Sequence, residues 1–328
     1  MVKNFFNLVR WKNLLITGGL VLILKFVVFE TAIQFGNNRF PLSVAQFSIS
    51  QTVLLILSLM FLAAAGYIIN DIYDVKTDHI NKPNKVVIGV SISAKAATNL
   101  FYICNLIGIG LGVYLGYKMG NYQIGLLHGV VAMVFWIYSV YLKGTILIGN
   151  IIIAFASSTV PLIYFGFEGY AYIKKYGDIL AQNFGSYIGG PNEVLFYYCL
   201  ILSIFAFILS LAREIVKDIE DRAGDFATGA KTFPIVFGNN IAKYTVQLLI
   251  LVCIALVVWL LHFKLANFAF INLFFYTYAY LTIIFPALYL ITLLYKANRK
   301  EDYGTASLLL KFIMVSGIAT TFIYASNV

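Results

Sequence analysis

Long apolar runs constrain this chain more than any other feature of its sequence. A helix needs about 20 apolar residues to cross a bilayer. Nine runs meet that requirement, at residues 13–33, 51–70, 95–117, 122–142, 145–165, 194–215, 241–263, 271–295 and 305–326. Charged residues make up only 11% of the chain, whereas soluble domains usually carry about 25%. The sequence therefore predicts an all-α, polytopic membrane bundle of about nine transmembrane helices with cytoplasmic cap loops, in a single domain over residues 1–328.

The connections between these runs also carry predictions. Little more than Lys143 and Gly144 separates the fourth and fifth runs, which indicates a tight helical hairpin. Residues 166–193, rich in Gly and Tyr, are predicted to form the one long loop outside the acidic segments. The basic and aromatic residues up to Lys12 precede no convincing cleavage site, so we expect an interfacial segment before an uncleaved first span.

The positions of lysine and arginine predict which side of the membrane each loop faces. With the N-terminus inside, 17 of the 23 basic residues lie on the inner side and 6 on the outer side. Cytoplasmic loops of membrane proteins carry an excess of basic residues, so we predict a cytoplasmic N-terminus, in the plasma membrane of a prokaryote. This bias accounts for the net charge of +9 without nucleic acid as a partner.

Two short segments at the ends of the second and sixth runs each carry three aspartates with the same spacing. They are Asp71, Asp74 and Asp78, and Asp218, Asp221 and Asp225. In a continuous helix this i, i+3, i+7 spacing places the three carboxylates on one face. Carboxylates at a membrane boundary are costly unless positive charge lies among them. Both segments are predicted on the cytoplasmic side, where the two faces could share divalent cations.

The chemistry of such a pair of faces suits a lipid diphosphate. Mg²⁺ prefers oxygen ligands and often uses one or two carboxylates together with substrate phosphates. Bound ions would neutralise the diphosphate and stabilise it as a leaving group, while the adjoining span offers an apolar groove for a hydrocarbon tail. Breaking the allylic C–O bond would give a carbocation from which water must be excluded. Basic residues that could bind the phosphates are Lys82, Lys143, Lys217, Arg222 and Lys231.

Three sequence blocks extend these observations to a known family. NDIYDVKTDHINKPNK, at residues 70–85, carries NDxxDxxxD followed by a basic-proline element. REIVKDIEDRAGDFATGAKTFPIVFG, at residues 213–238, carries the second aspartate motif and a trailing G-x-x-T-x-P-x-x-x-G, and YSVYLKGTILIGN occupies residues 138–150. In this order the three blocks resemble the signature motifs of the UbiA superfamily of intramembrane prenyltransferases.

The resemblance implies roles for individual residues. The implied ligands of magnesium and diphosphate are Asn70, Asp71, Asp74 and Asp78 in one cluster and Asp218, Asp221 and Asp225 in the other. Of these, Asp71, Asp74 and Asp221 are implied to be catalytic. Tyr138 and Lys143 would lie near the diphosphate or the cation, and Asn13 would contact the acceptor.

The chain departs from the family pattern at two places. Lys82 and Lys85 stand where family members commonly have arginines, and Val86 stands where a second proline is common. Lysine binds phosphate as a point charge without the fork of arginine, so the phosphate geometry differs there. The first span has Arg10-Trp11 in place of the usual Arg-Pro pair.

The function implied by the resemblance is Mg²⁺-dependent transfer of a polyprenyl group from its diphosphate to a lipid-soluble acceptor, with geranylgeranyl as the expected group. REIVKDIED with Gly224-Asp225 is most similar to the digeranylgeranylglyceryl-phosphate synthase branch, whose acceptor is of the geranylgeranylglyceryl phosphate type. One alternative is prenylation of an aromatic acceptor in quinone or related biosynthesis. Another is a divalent-cation or phosphate transporter, since intramembrane carboxylates also mark ion pathways. The expected partners are the diphosphate donor, the lipophilic acceptor and membrane lipids.

Overall fold

The computed structural model describes residues 2–29, 46–184, 191–264 and 273–326, which are almost entirely helical. Within these ranges the β pairing consists of one isolated bridge, between Ile88 and Ile92. Nine of the described helices are long and apolar enough to cross a membrane: Trp11–Phe29, Ile49–Asn81, Ala94–Met119, Tyr122–Leu142, Ile148–Ile179, Leu195–Glu220, Asn239–Phe263, Leu273–Lys296 and Lys300–Phe322. The predicted all-α membrane fold is confirmed. The predicted end of the first span, at residues 30–33, lies outside the described residues.

The α-helices are, in chain order, α1 (Val2–Leu8), α2 (Trp11–Ile23), α3 (Ile49–Asn81), α4 (Ala94–Met119), α5 (Tyr122–Ile137), α6 (Ile148–Ser158), α7 (Val160–Phe184), α8 (Pro191–Glu220), α9 (Arg222–Ala227), α10 (Phe233–Phe237), α11 (Asn239–Trp259), α12 (Leu273–Ala279), α13 (Phe285–Lys296) and α14 (Lys300–Ser326). Four of them continue into π-helical turns, at Leu24–Phe29, Tyr138–Leu142, Leu260–Lys264 and Tyr280–Ile284. A 3₁₀ turn follows α3 at Pro83–Lys85.

The long loop predicted over residues 166–193 is wrong for its described part. Helix α7 continues to Phe184, and residues 185–190 lie outside the described residues. The prediction failed because charged side chains interrupt the apolar run, although the fold supplies partners for them. Glu168 pairs with Lys25, and Lys174 Nζ donates to the carbonyl of Met119 at 2.6 Å. A charge that finds a partner need not end a helix within the bilayer.

The chain divides into two compact units, each with its own core. The first comprises residues 1–75, 84–141 and 159–203, and the second comprises residues 76–83, 142–158 and 204–328. Helix α3 contributes to both, with Val75 as its last residue in the first unit and Lys76 as its first in the second. A single domain over residues 1–328 stays a prediction.

A buried ion pair anchors one part of the first unit. Lys25 is 3% exposed and Glu168 is fully buried, and Lys25 Nζ lies 3.7 Å from Glu168 Oε2. Glu168 also accepts hydrogen bonds from the Tyr164 hydroxyl at 2.8 Å and from the Phe47 backbone N–H at 2.7 Å. An unpaired charge here would be strongly destabilising. The pair therefore fixes the backbone just before α3.

Glycines allow α4 and α5 to pack backbone against backbone, also in the first unit. A Cβ atom at Gly125 would lie 2.7 Å from the carbonyl oxygen of Gly112 and 2.8 Å from the Cα of Val113. A Cβ at Gly116 would lie 2.8 Å from the carbonyl oxygen of Asn121. Apolar burial does not drive helices together in lipid, so small residues that permit close backbone approach take over that role.

The core of the second unit is formed by α8, α11, α13 and α14, with α6 against it. Its fully buried members include Ala154, Ala212, Ile215, Val246, Ile250, Leu290, Leu294, Ala306 and Leu310. Asp218 lies between Val216 and Ile219 of α8, and both of these residues belong to the buried core. The packing therefore sets the position of the helix that carries the start of the second acidic motif.

Replacing Gly125 with alanine is expected to destabilise the protein by about 1–3 kcal/mol, the usual cost of overpacking a well-packed site. The obstructing atoms are backbone atoms of α4, which cannot move aside. The measurement is thermal or denaturant unfolding of the purified protein in detergent. Gly129→Ala is the matched control, because a Cβ on Gly129, one turn later on the same helix, meets no atom within 4 Å. Equal stability of the two variants would contradict the close-approach role of Gly125.

Candidate functional site

The first acidic motif lies on the last three turns of α3. The helix is unbroken through Asn81, so Asp71, Asp74 and Asp78 lie on one helical face as predicted. Asn70 Nδ2 donates a hydrogen bond to Asp74 Oδ2 at 2.8 Å. This contact orients one carboxylate of the motif by the asparagine one helical turn before it.

Arg10 supplies the positive charge that was expected among these carboxylates. One of its guanidinium nitrogens lies 2.9 Å from Asp71 Oδ1, and its Cζ lies 4.8 Å from the centre of the Tyr67 ring. The Arg10 backbone is left-handed, with φ 50°, at the turn between α1 and α2. Asn13, one turn later, donates to the Tyr67 hydroxyl at 3.3 Å. Sequence reasoning missed the pairing of Arg10 with Asp71 because it joins residues that are 61 positions apart.

Lys82, directly after α3, contacts the second acidic motif within the second unit. Its Nζ donates to Asp221 Oδ2 at 2.7 Å and lies 4.0 Å from Glu220 Oε1. Burial by itself would lower the pKa of Lys82, but the charge and hydrogen bond of Asp221, with the charges of Glu220 and Asp78, raise it above 10.5. The ammonium is therefore charged at neutral pH and neutralises part of this acidic surface.

The second acidic motif does not form one helical face. Helix α8 ends at Glu220, and α9 begins at Arg222. Asp221 lies between them with φ −96° and ψ 4°, outside the regular helical region. Asp218, on α8, accepts a hydrogen bond from Asn150 Nδ2 at 2.7 Å. The equal spacing of the two motifs therefore corresponds to different backbones.

One oxygen of Asp221 lacks a hydrogen-bond partner in the described part of the chain. Oδ2 bonds to Lys82, whereas Oδ1 is buried and has no hydrogen-bond partner among the described residues. A buried carboxylate oxygen without a partner is costly in an apolar interior. A cation would satisfy it, since carboxylate oxygen is a preferred ligand of Mg²⁺. The described part of the chain contains no group of three or more His, Cys, Asp or Glu side chains arranged to hold a metal ion, so a metal here would need oxygen atoms from a substrate as well.

Two basic candidates lie on neighbouring loops of the second unit. The backbone N–H of Lys231 donates to the carbonyl of Gly144 at 2.7 Å, and that of Ala230 donates to the carbonyl of Asp225 at 2.9 Å. Gly144 has φ +80°, a left-handed conformation that suits glycine. The two hydrogen bonds bring the backbones of Lys143 and Lys231 together beside the end of the second motif.

The remaining predicted site residues are Tyr138, Lys217 and Arg222. Tyr138 is 9% exposed and begins a π-helical turn in the first unit. Lys217 Nζ lies 3.6 Å from Glu214 Oε2, one turn away on α8. Arg222 is exposed at the start of α9.

Each of the two units carries its own set of the predicted site residues. Asn13, Asn70, Asp71, Asp74 and Tyr138 belong to the first, and Asp78, Lys82, Lys143, Lys217, Asp218, Asp221, Arg222, Asp225 and Lys231 belong to the second. Two asparagines that sequence reasoning did not single out, Asn81 and Asn150, contact the second motif directly. Both lie inside the sequence blocks quoted above for the family motifs. The sequence does not indicate which group an uncharged amide side chain will bond to.

Comparison with known proteins extends these observations. The model of the UbiA prenyltransferase family matches residues 42–315. The chain is 32% identical over 203 residues to a digeranylgeranylglyceryl phosphate synthase of Methanobrevibacter smithii, which covers 61% of this chain and 64% of that relative. It is 30% identical over 245 residues to the enzyme of the same name from Methanosarcina mazei, which covers 74% of each chain.

A solved structure has a similar fold. It is a UbiA homologue from Archaeoglobus fulgidus bound to GPP and Mg²⁺, with a TM-score of 0.55 and 15% identity over 97% of this chain and 99% of that one. The family model covers most of the chain, and the three sequence blocks that resemble the superfamily lie within its bounds. This chain belongs to the UbiA prenyltransferase family.

Proposed function

We propose that this chain catalyses the Mg²⁺-dependent transfer of a geranylgeranyl group from its diphosphate to an acceptor of the geranylgeranylglyceryl phosphate type. The observation that carries the proposal is the contact of Lys82 with Asp221, which joins the end of the first acidic motif to the second within one compact unit. It leaves Asp221 Oδ1 buried and without a partner. Carboxylates and ammonium groups arranged in this way suit a diphosphate and its counter-ions.

The residues of each acidic motif fit Mg²⁺. In the second unit Asp218 and Asp221, and in the first unit Asn70 and Asp74, carry oxygen ligands of the kind that this ion prefers. When bound, Mg²⁺ supplies neutralisation of the diphosphate charge, which stabilises the diphosphate as a leaving group. The UbiA homologue of known structure that binds GPP and Mg²⁺ supports this assignment.

The chain's own residues position the donor and stabilise its charge. Lys82, Lys143 and Lys231 hold the diphosphate, and their ammonium charges favour its departure with the electron pair of the allylic C–O bond. The acceptor hydroxyl oxygen then bonds to the allylic carbon, and the hydroxyl proton leaves with the diphosphate. The apolar spans exclude water, which would otherwise capture the carbocation. Tyr138, with its aromatic ring, is a candidate to face that cation.

Two relatives favour a glycerol-lipid acceptor over an aromatic one. Both carry the name digeranylgeranylglyceryl phosphate synthase. The REIVKDIED segment of this chain also resembles the corresponding motif of the digeranylgeranylglyceryl-phosphate synthase branch. The distribution of lysine and arginine supports a cytoplasmic N-terminus and a cytoplasmic active site.

A transport function has less support. Transporters typically bind ions near the middle of the membrane, on interrupted helices. Here Asp71, Asp74 and Asp78 lie on the last three turns of α3, and Asp218 lies in the last turn of α8. These positions at the helix ends suit a diphosphate bound at the membrane interface, with its hydrocarbon tail among the apolar spans.

Removing divalent metal is expected to abolish turnover. EDTA should stop the release of diphosphate from geranylgeranyl diphosphate by purified protein, because the leaving group then has no counter-ions. Excess Mg²⁺ should restore the release. The measurement is diphosphate release together with prenylated product by mass spectrometry. Full activity in EDTA would refute the assignment.

Replacing Asp221 with asparagine is expected to lower kcat/KM by about 10²–10³-fold, a loss typical of removing one preorganised charge-stabilising group. The substitution keeps the size of the side chain and removes its charge. Glu301→Gln serves as the control, because Glu301 is an exposed carboxylate in the first turn of α14. The proposal fails if both variants retain wild-type kinetics.

The acceptor is identified by competition among candidate substrates. Membranes containing the protein are incubated with labelled geranylgeranyl diphosphate and equimolar geranylgeranylglyceryl phosphate and 4-hydroxybenzoate, and the products are separated by mass spectrometry. We expect the label in the diether phosphate. Label in the aromatic product alone would overturn the choice of acceptor and leave prenyl transfer standing.

A further inference from the structure

Asn81, the last residue of α3, is buried against the start of α9. It is 7% exposed. Its Nδ2 donates to the backbone carbonyl of Asp221 at 2.7 Å, and its Oδ1 accepts from the backbone N–H of Gly224 at 2.9 Å. Both polar atoms of the amide are therefore used on two backbone groups, three residues apart, of the second acidic motif.

One of these two backbone groups, the Gly224 N–H, is a group that an N-cap side chain normally serves. Asp221 is the N-cap of α9, so Gly224 is the third residue of the helix and its N–H has no partner within it. An aspartate in that position usually accepts this hydrogen bond with its own carboxylate. Asp221 makes no such side-chain bond. The amide of Asn81 takes its place, across 143 positions of the chain.

The consequence is visible at the carboxylate of Asp221. Relieved of capping its own helix, it directs Oδ2 to Lys82 and leaves Oδ1 buried without a hydrogen-bond partner. A buried oxygen in this state is expected to gain from binding a cation. Asn81 caps α9 in place of Asp221, an arrangement called the capping exchange below. The capping exchange therefore produces the unpartnered oxygen that makes Asp221 suitable as a ligand.

The surroundings of Asn81 are built for this contact. A Cβ at Gly224 would lie 2.4 Å from Asn81 Nδ2 and 2.8 Å from the carbonyl oxygen of Thr77, so only glycine permits the approach. Lys300 Nζ donates to the backbone carbonyl of Asn81 at 2.5 Å. That bond satisfies a carbonyl at the end of α3, which has no partner within the helix, and holds the backbone from which the amide extends.

We propose that Asn81 is a positioning residue that caps α9 in place of Asp221 and thereby makes the Asp221 carboxylate available to the metal-diphosphate. The inference rests on the proposed function and adds a residue to it. Asn81 touches neither substrate nor reacting atoms in this role. It acts through Asp221.

The test compares Asn81→Ala with Thr77→Val in purified protein. Thr77→Val removes a hydroxyl that lies 3.3 Å from Thr228 Oγ1, another contact between the end of α3 and the residue after α9, without touching Asp221. Two quantities are measured: the Mg²⁺ concentration that gives half-maximal turnover, and the rise in unfolding temperature caused by Mg²⁺ with inorganic diphosphate.

In Asn81→Ala the Asp221 carboxylate is expected to turn to the Gly224 N–H. The Mg²⁺ requirement should then rise about 10–100-fold, the loss typical for the partner that orients a metal ligand, and the thermal shift should shrink. Thr77→Val should leave both quantities within about twofold of wild type. An Asn81→Ala protein with wild-type Mg²⁺ response would overturn the inference.

Two further variants separate positioning from a general loss of structure. Asn81→Asp keeps an acceptor for the Gly224 N–H, so it should retain more of the Mg²⁺ response than Asn81→Ala, and equal impairment would contradict the capping exchange. Combined with Asp221→Asn, Asn81→Ala should add no further loss, because residues that act through one group are not additive. Full additivity would contradict action through Asp221. If Asn81→Ala does not fold, Asn81→Ser, whose hydroxyl is too short to span both backbone groups, replaces it.

The wild-type protein distinguishes failure of this inference from failure of the function. Absence of both turnover and a Mg²⁺-diphosphate thermal shift in wild type would overturn the proposed function and with it the role of Asn81. A normal wild-type response that Asn81→Ala leaves unchanged would overturn the role of Asn81 alone.

Discussion

A charge in apolar surroundings needs a partner, and the structure depends on this constraint throughout. In the first unit, Lys25 and Glu168 are both buried and satisfy one another. The charged residues of α7 therefore do not end the helix. At the ends of α3 and α8 the same constraint acts on the aspartates, since unpaired carboxylates at the edge of an apolar span repel each other and are costly to desolvate.

In the second acidic motif only one oxygen of the Asp221 carboxylate is paired within the described chain, and the other is the one suited to bind a cation. Lys82 neutralises one oxygen of Asp221, and the other stays buried without a partner. Asn81 performs the capping that Asp221 would otherwise perform. A fully satisfied carboxylate would contribute only to stability, whereas Asp221 Oδ1 has no hydrogen-bond partner among the described residues and suits a cation. The neutral amide of Asn81 makes the structural hydrogen bond to the Gly224 N–H. The Asp221 carboxylate is therefore not needed for that bond and can serve the function.

Close backbone approach is the second means by which the fold sets its geometry. Gly224 lets α9 meet the side chain of Asn81, and Gly125 lets α5 meet the backbone of α4. Inside a bilayer there is no hydrophobic gain from bringing helices together, so the close contact of α4 with α5 depends on the absence of a side chain at Gly125. A single methyl group at either position would separate the elements it joins.

The sequence by itself determined the fold class, the nine spans and the spacing of the aspartates, because apolar length and helical period are local properties. It also indicated the family, since the three motif blocks are contiguous. Only the tertiary structure decided that the second motif is broken at Asp221, that α7 continues through its charges, and that Arg10, Asn81 and Asn150 bond to the acidic residues. These outcomes depend on partners 55 to 143 positions away, and hydropathy and spacing carry no information about contacts across such distances.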